Sequence, residues 1–402
     1  MTTDFFAWVN AHLNDDPARL RLKYSRGGDG SVDYAAAITQ IECRRRFARK
    51  FADTLAACPD FYFPSVLAGE QATSDTLALF HSSYVAEGCT AVDLTAGLGI
   101  DALYSARRAS SLTAVERDAD KVEALRHNAA ALKADNIEAV PGDCIEFIDR
   151  CLAEGRHFTT AFIDPARRAA DGSRVFALAD CEPDVTALAD KLSKLCDILL
   201  VKVSPMLDIS HTIASLRPAP VSIMAIGTAG DCKELFAIVD FRNPAAETMV
   251  EAVTLGAGET LTFAYRMSQE HECPMPPLTG ELAPGDYVYE PYPALMKCGA
   301  FRLPAQRYGL SVFHANTRLF TSREPVDGFP GRRYTVVEVL PYASRVIKRF
   351  AAKYPAINVA TRNFGISADA LKAKLRVKDG GDMRLFGVTD SAGERLLVVC
   401  KP

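Results

Sequence analysis

The sequence lacks the features that mark secreted, membrane-spanning and disulfide-stabilised proteins. Its 11 cysteines are odd in number and scattered, with no C-x-x-C pair, so we expect reduced thiols and neither a disulfide framework nor a structural zinc site. There is no basic, apolar leader and no run of about eighteen apolar residues. Walker loops, H-E-x-x-H motifs and comparable hydrolase sets are also absent, and no metal site is implied. These absences predict a soluble, cytoplasmic protein that does not associate with membranes.

Length and charge indicate several domains of unequal character. At 402 residues the chain is too long for one ordinary core, so two to four domains are expected. Residues 331–402 contain 14 Lys and Arg against 6 Asp and Glu, a net charge of +8; because the whole chain carries −4, the remaining residues carry −12. A basic segment on an acidic body suggests an anionic partner, and the alternative is a solvated basic surface.

Residues 1–75 are predicted to form a helical region. The stretch "ITQIECRRRFARKFADTL" spaces its apolar residues, from Ile38 to Phe51, for one face of a single helix. Its cationic side chains form the opposite face, which either meets solvent or contacts nucleic acid; they are Arg44, Arg45, Arg46, Arg49 and Lys50. In the loop that follows, Thr73 or Ser74 is placed to cap the next helix, "DTLALFHSSYVAE".

From about residue 89 the pattern alternates between strands and helices. "CTAVDL", "SLTAVE", "IEAVPGD", "FTTAFID" and "CDILLVKVSP" read as apolar strands, with helical segments between them. This alternation predicts an α/β fold with a Rossmann-like parallel sheet covered on both faces. "PVSIMAIG" and "KELFAIVDF" suggest an antiparallel hairpin at the sheet edge, and "EAVTLGAGETLTFAYRM" suggests another. A Pro-rich linker then leads to a small module, and the chain ends in an α/β module with the helix "YASRVIKRFAAKY".

The turn after the first strand, "VDLTAGLGIDA", is a candidate cofactor loop. Gly97, Gly99 and Ala102 fit G-x-G-x-x-A, in which glycines allow a tight turn and close backbone approach at a helix N-terminus. Ligands of such sheets bind outside the carboxyl ends of the strands, near the point where strand order reverses. The loop alone leaves two cofactors open, a dinucleotide and S-adenosylmethionine.

Acidic residues at three successive strand ends favour S-adenosylmethionine. Asp93 precedes the glycines, where a carboxylate repels a pyrophosphate but attracts an ammonium or a sulfonium. Glu116 ends the second strand, where a carboxylate can accept both ribose hydroxyls, and Asp143 is placed to accept from an adenine amino group. Taken singly, each acid could instead be a helix cap or lie in a solvated turn, as is most plausible for Asp143 and Asp101.

These residues carry a family resemblance. "VDLTAGLGID", "AVERD" and "PGDCIEFI" resemble the first three motifs of class I S-adenosylmethionine-dependent methyltransferases, over residues 70–245. "GEQATSDTLALFHSSY", "FIDPARR", "YEPYPALMKCGAF" and "RNFGISADALKAKLRVKDGGDMRLFGVT" resemble a bacterial group of such methyltransferases with a THUMP-like C-terminal domain, whose substrate is not established. The cofactor-binding residues that the resemblance implies are Asp93, Thr95, Gly97, Gly99, Asp101, Glu116, Arg117, Asp143, Cys144 and Asp164.

The resemblance also implies a division of the chain. It gives an N-terminal helical region over 1–75 and a methyltransferase domain over 76–268. A small ferredoxin-like module over 275–330 and a basic THUMP-like module over 331–402 complete the chain.

The fourth strand ends in "DPARR" and, in the fold implied by the resemblance, faces the methyl group. Enzymes that methylate exocyclic base nitrogens have Asn/Asp-Pro-Pro-aromatic there, so Asp164 and Pro165 match the first half and are expected to be catalytic. Arg167, also assigned to catalysis, replaces the aromatic platform, and a guanidinium can stack on a base or hold a phosphate, as can Arg168. The alternative is that one of these arginines pairs with Asp171 and braces the loop.

Two hypotheses of function follow. The first is methyl transfer to a nitrogen or oxygen of RNA, either tRNA or rRNA, with Asp164 as hydrogen-bond acceptor and orienter. The second is a methyltransferase for a protein or small molecule, with the tail serving assembly. C5 methylation of a pyrimidine is disfavoured because neither "FIDPARR" nor "VKVSPMLDIS" contains a cysteine nucleophile, and an NAD enzyme is disfavoured by Asp93. The predicted RNA contacts are Arg168, Arg345, Lys348, Arg349 and Lys374; the oligomeric state is left open.

Overall fold

The computed structural model describes residues 2–25, 32–167, 177–256, 259–279 and 282–402 in two compact units. The first unit comprises Met1–Val221 and Phe236–Ala246, and the second comprises Ser222–Leu235 and Glu247–Pro402. None of the helices in these described ranges is long and apolar enough to cross a membrane.

The N-terminal region of the first unit is helical, as predicted. Its helices are α1 (Thr3–Ala11), α2 (Pro17–Lys23), α3 (Tyr34–Phe47), α4 (Ala52–Ala57), α5 (Val66–Gln71) and α6 (Asp75–Ser82). Side-chain oxygens of Asp16, Asp33, Ser65 and Ser74 accept backbone N–H groups at the N-termini of α2, α3, α5 and α6, as expected for N-cap residues. Ser74 rather than Thr73 is therefore the cap of α6.

The predicted single helix over residues 38–55 is wrong, because the chain bends between α3 and α4. Phe47 and Phe51 are both buried on either side of the bend. Lys50 Nζ stabilises it by donating to the carbonyl oxygens of Gly69 and Glu70, at 2.9 and 2.7 Å. Most of the predicted cationic face is likewise occupied by contacts within this unit: Arg44 donates to Phe61 O, Arg45 donates to Asp15 O, and Arg46 pairs with Glu70.

The predicted parallel sheet is confirmed in the first unit. Its elements are β1 (Thr90–Asp93), α7 (Ile100–Ser105), β2 (Ser111–Glu116), α8 (Ala119–Ala131), β3 (Ile137–Pro141), α9 (Cys144–Ala153), β4 (Phe158–Ile163), β5 (Ala166–Arg167), β6 (Cys181–Glu182), α10 (Ala189–Leu195), β7 (Cys196–Val203) and α11 (Ile209–Ser215). Strands run parallel in the order β7-β4-β1-β2-β3, and β5 and β6 form a separate two-stranded hairpin. Strand order reverses at β1 and β4, which is where ligands bind in open α/β sheets.

Two hairpins follow, as predicted, but the first was wrongly expected at the sheet edge, since only the second lies there. Strands β8 (Ser222–Gly227) and β9 (Cys232–Asp240) are joined by a tight turn, in which Thr228 N donates to Asp231 O at 2.9 Å. The bond from Val221 N to Ile238 O continues the same antiparallel register. Strands β10 (Met249–Leu255) and β11 (Thr260–Arg266) pair antiparallel, and β10 pairs parallel with β8.

The rest of the second unit is built on a seven-stranded sheet. Its elements are α12 (Met267–Glu272), β12 (Tyr287–Pro291), α13 (Pro293–Cys298), α14 (Arg302–Tyr308), β13 (Ser311–Val312), β14 (Phe320–Ser322), β15 (Gly331–Pro341), α15 (Ser344–Lys353), β16 (Asn358–Arg362), α16 (Ala368–Leu375), β17 (Arg384–Thr389) and β18 (Arg395–Lys401). The strand order is β13-β14-β12-β15-β18-β17-β16, so strands from the predicted ferredoxin-like and THUMP-like modules share one sheet.

Helix α15 has the two faces predicted from its sequence. Phe350 is buried, and Val346 and Ile347 pack against the same apolar cluster. Alternate residues of β17 and β18 point to opposite sides of the sheet, because Leu385 and Leu397 belong to this cluster whereas Phe386 and Val398 belong to another. The cationic residues on the outer face of the helix, Arg345, Lys348 and Arg349, are exposed.

Candidate active site

The turn between β1 and α7 requires glycine at two positions. Gly97 and Gly99 have φ values of +56° and +86°, in the left-handed region that side chains disfavour. A Cβ on Gly99 would lie 2.2 Å from Leu125 Cδ1, so helix α8 packs directly against the turn. Gly99 is also the N-cap residue of α7, as the predicted cofactor loop requires.

The register of the sheet brings three of the predicted acids together. Asp93 at the end of β1 is level with Phe162 of β4 and Ala114 of β2. Asp164 and Glu116 each follow those positions by two residues, so they lie at the same carboxyl edge of the sheet.

Two of these acids brace the glycine turn. Glu116 Oε2 accepts from Gly97 N at 2.8 Å, and its Oε1 accepts from Asp118 N at 2.9 Å. Asp93 Oδ1 accepts from Thr95 N at 3.0 Å. Bonds between side-chain carboxylates and backbone N–H groups fix the path of the chain after β1 and β2.

The residues predicted near the third strand are arranged around a helix cap. Asp143 Oδ1 accepts from Ile145 N at 2.8 Å and from Glu146 N at 3.4 Å, so the helix-cap alternative for this residue is confirmed. Cys144 is buried, and this burial raises the pKa of its thiol to about 11. Arg117 Nη1 donates to Glu182 Oε1 of β6 at 3.3 Å.

The fourth strand end carries an ion pair that the sequence did not reveal. Lys202 Nζ, near the end of β7, donates to Asp164 Oδ2 at 2.5 Å and to Thr73 Oγ1 at 3.2 Å. Asp164 N donates to Thr95 Oγ1 at 2.7 Å, which joins the ends of β1 and β4. Pro165 is buried. The side chain of Arg167 and the whole of Arg168 and Asp171 lie outside the described residues.

Asp101 is turned towards the N-terminal helices. Its carboxylate accepts from the hydroxyl of Thr73, and its Oδ1 lies 2.8 Å from His81 Nδ1 of α6. Asp101 is buried, so the solvated turn considered for it from the sequence is wrong. Both carboxylate oxygens are bound by side chains of the helical region.

The predicted RNA contacts of the second unit form an exposed cationic group. In the described part of the chain Arg345, Lys348, Arg349 and Lys374 make no ion pair, whereas Lys353 pairs with Glu338. Lys374 Nζ lies 5.2 Å from the centre of the Tyr342 ring, within range of a cation–π contact.

Three segments of the chain match known protein families. Residues 76–178 match the family described as conserved hypothetical protein 95, residues 287–330 match a ferredoxin-like domain, and residues 331–402 match a THUMP domain-like family. A crystal structure described as a "putative methyltransferase" from Porphyromonas gingivalis W83 is 31% identical, covers 99% of this chain and 97% of its own, and superimposes with a TM-score of 0.88. The chain belongs to this methyltransferase family.

A shorter match concerns a protein of Mycoplasma mobile described as an uncharacterized RNA methyltransferase. It is 34% identical to this methyltransferase over 77 residues, which is 19% of this chain. The matched stretch spans only 20% of the Mycoplasma protein.

Three residues of the site were missed by sequence reasoning. Each lies far along the chain from the residue that it binds. Lys202 is 38 positions from Asp164, Thr73 is 129 positions from Lys202, and His81 is 20 positions from Asp101. A usable signal for Lys202 was a lysine inside the apolar stretch "ILLVKVSP". Thr73 was visible only as one of two candidate helix caps.

The buried acids of this methyltransferase have opposite protonation tendencies. Burial raises the pKa of Asp93 well above its usual range, and the charges of Asp101, Asp164 and Glu116 raise it further. Burial would also raise the pKa of Asp101, but hydrogen bonds from His81 and Thr73 and the charges of His81 and Lys202 outweigh burial and lower it. Of these two buried acids, Asp93 is therefore the one that favours its neutral form.

This difference gives a prediction for stability as a function of pH. A raised pKa in the folded state favours folding below the ordinary pKa of aspartate, and this contribution is lost as pH rises through the folded pKa. Asp93→Asn stays neutral and can still accept from Thr95 N, so it should be more stable than wild type by a margin that grows from about pH 4 upwards. Each pKa unit corresponds to about 1.4 kcal/mol.

Urea denaturation of both proteins between pH 4 and 8 measures this margin. Asp135→Asn, which changes an exposed acid of the same unit, is the control and should give a margin that does not change with pH. A pH-independent difference for Asp93→Asn would contradict the assignment.

Proposed function

We propose that this methyltransferase uses S-adenosylmethionine to methylate a nitrogen or oxygen of tRNA or rRNA. The observation that carries the cofactor assignment is the meeting of Asp93 and Glu116 beside the Gly97–Gly99 turn at the reversal of strand order. S-adenosylmethionine brings an ammonium and a sulfonium, which Glu116 and the ionised form of Asp93 attract. A cation beside Asp93 favours that ionised form, whereas the pyrophosphate of a dinucleotide would be repelled. The proposal includes a cytoplasmic location and the division into 1–75, 76–268, 275–330 and 331–402.

The residues present fit this cofactor. The carboxylate of Glu116 accepts two backbone N–H bonds, and each oxygen retains a further lone pair that a ribose hydroxyl can use. Gly97 leaves the backbone uncovered for close approach, because the nearest atom to a Cβ there would be Thr95 O at 4.0 Å, whereas Gly99 allows α8 to pack against the turn. Asp143 holds the start of α9 beside the end of β3, where an adenine would lie. In this proposal Thr95, Arg117 and Cys144 also lie at the cofactor, whereas Asp101 supports the site from behind by binding Thr73 and His81.

Asp164 is the proposed catalytic residue. When bound, the cofactor supplies an electrophilic methyl group on sulfonium sulfur. The Asp164 carboxylate, at the end of β4, accepts a hydrogen bond from the N–H or O–H of the nucleophile and orients its lone pair. Pro165 fixes the backbone there, and in this proposal Arg167 and Arg168 contact the substrate base or phosphate.

The RNA assignment rests on the second unit. Its last 72 residues match a THUMP domain-like family, and a partial relative is described as an RNA methyltransferase. Helix α15 presents Arg345, Lys348 and Arg349 to solvent without ion pairs in the described residues, and Lys374 adds a fourth cation. Cations that are not already neutralised are the ones that bind phosphates with release of counterions.

Mass spectrometry of RNA nucleosides tests the substrate class directly. Total tRNA and rRNA from cells with and without the gene should differ by one methylated nucleoside, and the purified protein should restore it with S-adenosylmethionine. If the nucleoside profiles are identical while the protein binds S-adenosylmethionine, the substrate is a protein or small molecule instead.

Glu116→Gln should weaken cofactor binding. The amide keeps the size of the carboxylate but removes its charge and one acceptor, so affinity for S-adenosylhomocysteine should fall on the order of 10- to 100-fold. Calorimetry with S-adenosylhomocysteine and with its 2′-deoxy analogue separates ribose recognition from bracing of the turn. Wild type should prefer the intact ribose and Glu116→Gln should not; equal discrimination by both proteins would contradict the ribose role.

The cations of α15 should give RNA affinity a steep salt dependence. With about four phosphate contacts, the logarithm of affinity should fall against the logarithm of salt concentration with a slope near −3. Lys348→Ala/Arg349→Ala should weaken binding to all RNAs tested and flatten that slope by about one to two units.

Filter binding with tRNA and rRNA fragments measures both quantities. The matched control, Arg150→Ala/Lys194→Ala, removes the same charge from exposed positions of the first unit and should leave the slope unchanged. Equal effects of the two double variants would show a general charge effect instead of a binding face on α15.

A further inference from the structure

Lys202 is a charged side chain at the site, and the proposed function gives it no role in binding the cofactor or in accepting a hydrogen bond from the nucleophile. It lies at the carboxyl end of β7, beside the end of β4, and only 14% of its side chain is exposed. Its partner Asp164 is 36% exposed and therefore reaches the surface of the site. A mostly buried ammonium is stable only with charge and hydrogen-bond partners, which Asp164 and Thr73 supply.

The bonds around Lys202 form a continuous chain. The ammonium donates to Asp164 and to the hydroxyl of Thr73, that hydroxyl donates to Asp101, and Asp101 also accepts from His81. Because the Thr73 hydroxyl gives its proton to Asp101, its oxygen lone pairs face Lys202. The ammonium is therefore held by a second acceptor in addition to Asp164.

We propose that Lys202 is a positioning residue that holds Asp164 as an ion pair at the methyl-transfer position, with Thr73 fixing the ammonium. This proposal rests on the proposed use of S-adenosylmethionine. The ion pair keeps the Asp164 carboxylate charged and oriented towards the nucleophile. It also prevents that carboxylate from binding the sulfonium as a simple counterion, which would stabilise the substrate before transfer and oppose the reaction.

The charges of Lys202 and Asp164 should affect the binding of the two forms of the cofactor differently. This effect can be measured without identifying the methyl acceptor. S-adenosylmethionine carries a positive sulfur, whereas S-adenosylhomocysteine lacks the methyl group and carries a neutral sulfur but is otherwise alike. The ratio of their affinities therefore reports the electrostatic potential where the methyl group lies. A structural role for Lys202 would change both affinities together and leave the ratio constant.

A double-mutant cycle on this ratio tests the proposal. At pH 7.5, Lys202→Met removes the ammonium that binds Asp164, so preference for S-adenosylmethionine over S-adenosylhomocysteine should rise on the order of tenfold. Asp164→Asn removes the carboxylate that binds Lys202, so the preference should fall by a similar factor. In the combined variant the two effects should largely cancel, and Lys202→Arg, which keeps the charge, should remain near wild type.

Calorimetry with the full chain and both ligands gives all the values needed. An unchanged ratio in Lys202→Met and Asp164→Asn, within about twofold, would overturn the proposal. If Lys202→Met does not fold, Lys202→Gln takes its place in the cycle. Failure of the wild-type protein to bind either ligand would instead refute the cofactor assignment, so the two failures are distinguishable.

Thr73 gives an independent check of the same arrangement. Thr73→Val keeps the shape of the side chain but removes the hydroxyl between Lys202 and Asp101, whereas Thr73→Ser retains it. The valine variant should shift the affinity ratio away from wild type and the serine variant should restore it. Equal ratios in the two variants would show that the hydroxyl does not position Lys202.

Discussion

Repulsion between carboxylates at one edge of the parallel sheet is the constraint on which this site depends. The register of β1 between β2 and β4 places Asp93, Glu116 and Asp164 together, and Asp101 follows at the start of α7. Each is accommodated differently. Asp93 favours its neutral form, Glu116 binds backbone N–H groups, and Asp164 binds Lys202. The result is a negative site that can still fold, because only part of its formal charge is left uncompensated.

The N-terminal helices help to keep a buried carboxylate of the site charged, because their side chains bind Asp101. Asp101 lies in the sheet region, but the groups that keep its carboxylate ionised, Thr73 and His81, come from the end of the helical region. Asp75 is bound in turn by Thr54 and by the backbone N–H groups at the start of α4. The predicted domain boundary after residue 75 therefore cuts through the site. Thr73 lies on the helical side of that boundary and binds Lys202 on the other side.

The sequence was sufficient for the parts of the structure that depend on local pattern. Strand β2 has the predicted bounds, Ser111–Glu116, and α15 has the predicted faces, because periods of two and 3.6 residues are visible in a short stretch. The break between α3 and α4 was missed because it depends on burial of Phe47 and Phe51 and on bonds from Lys50 to residues 69 and 70. The Lys202–Asp164 pair was missed for the same reason. Nothing in either local pattern predicts which charges meet across the sheet, and propensity cannot supply tertiary contacts of this kind.

Net charge alone overstates how basic the C-terminal module is. Arg362 and Arg384 both bind Glu290 Oε1, at 3.1 and 2.9 Å, and Glu290 belongs to β12, outside residues 331–402. Within the module, Lys353 and Lys372 are paired with Glu338 and Asp379. Cations held by carboxylates release few counterions when a polyanion arrives, so they contribute little to salt-dependent affinity. In the described residues, the exposed cations of the module that make no ion pair include those on the outer face of α15, its neighbour Lys374, and also Arg376, Lys378, Arg395 and Lys401. Ion pairing therefore reduces the number of cations that can act on the proposed anionic partner, but it does not confine them to α15.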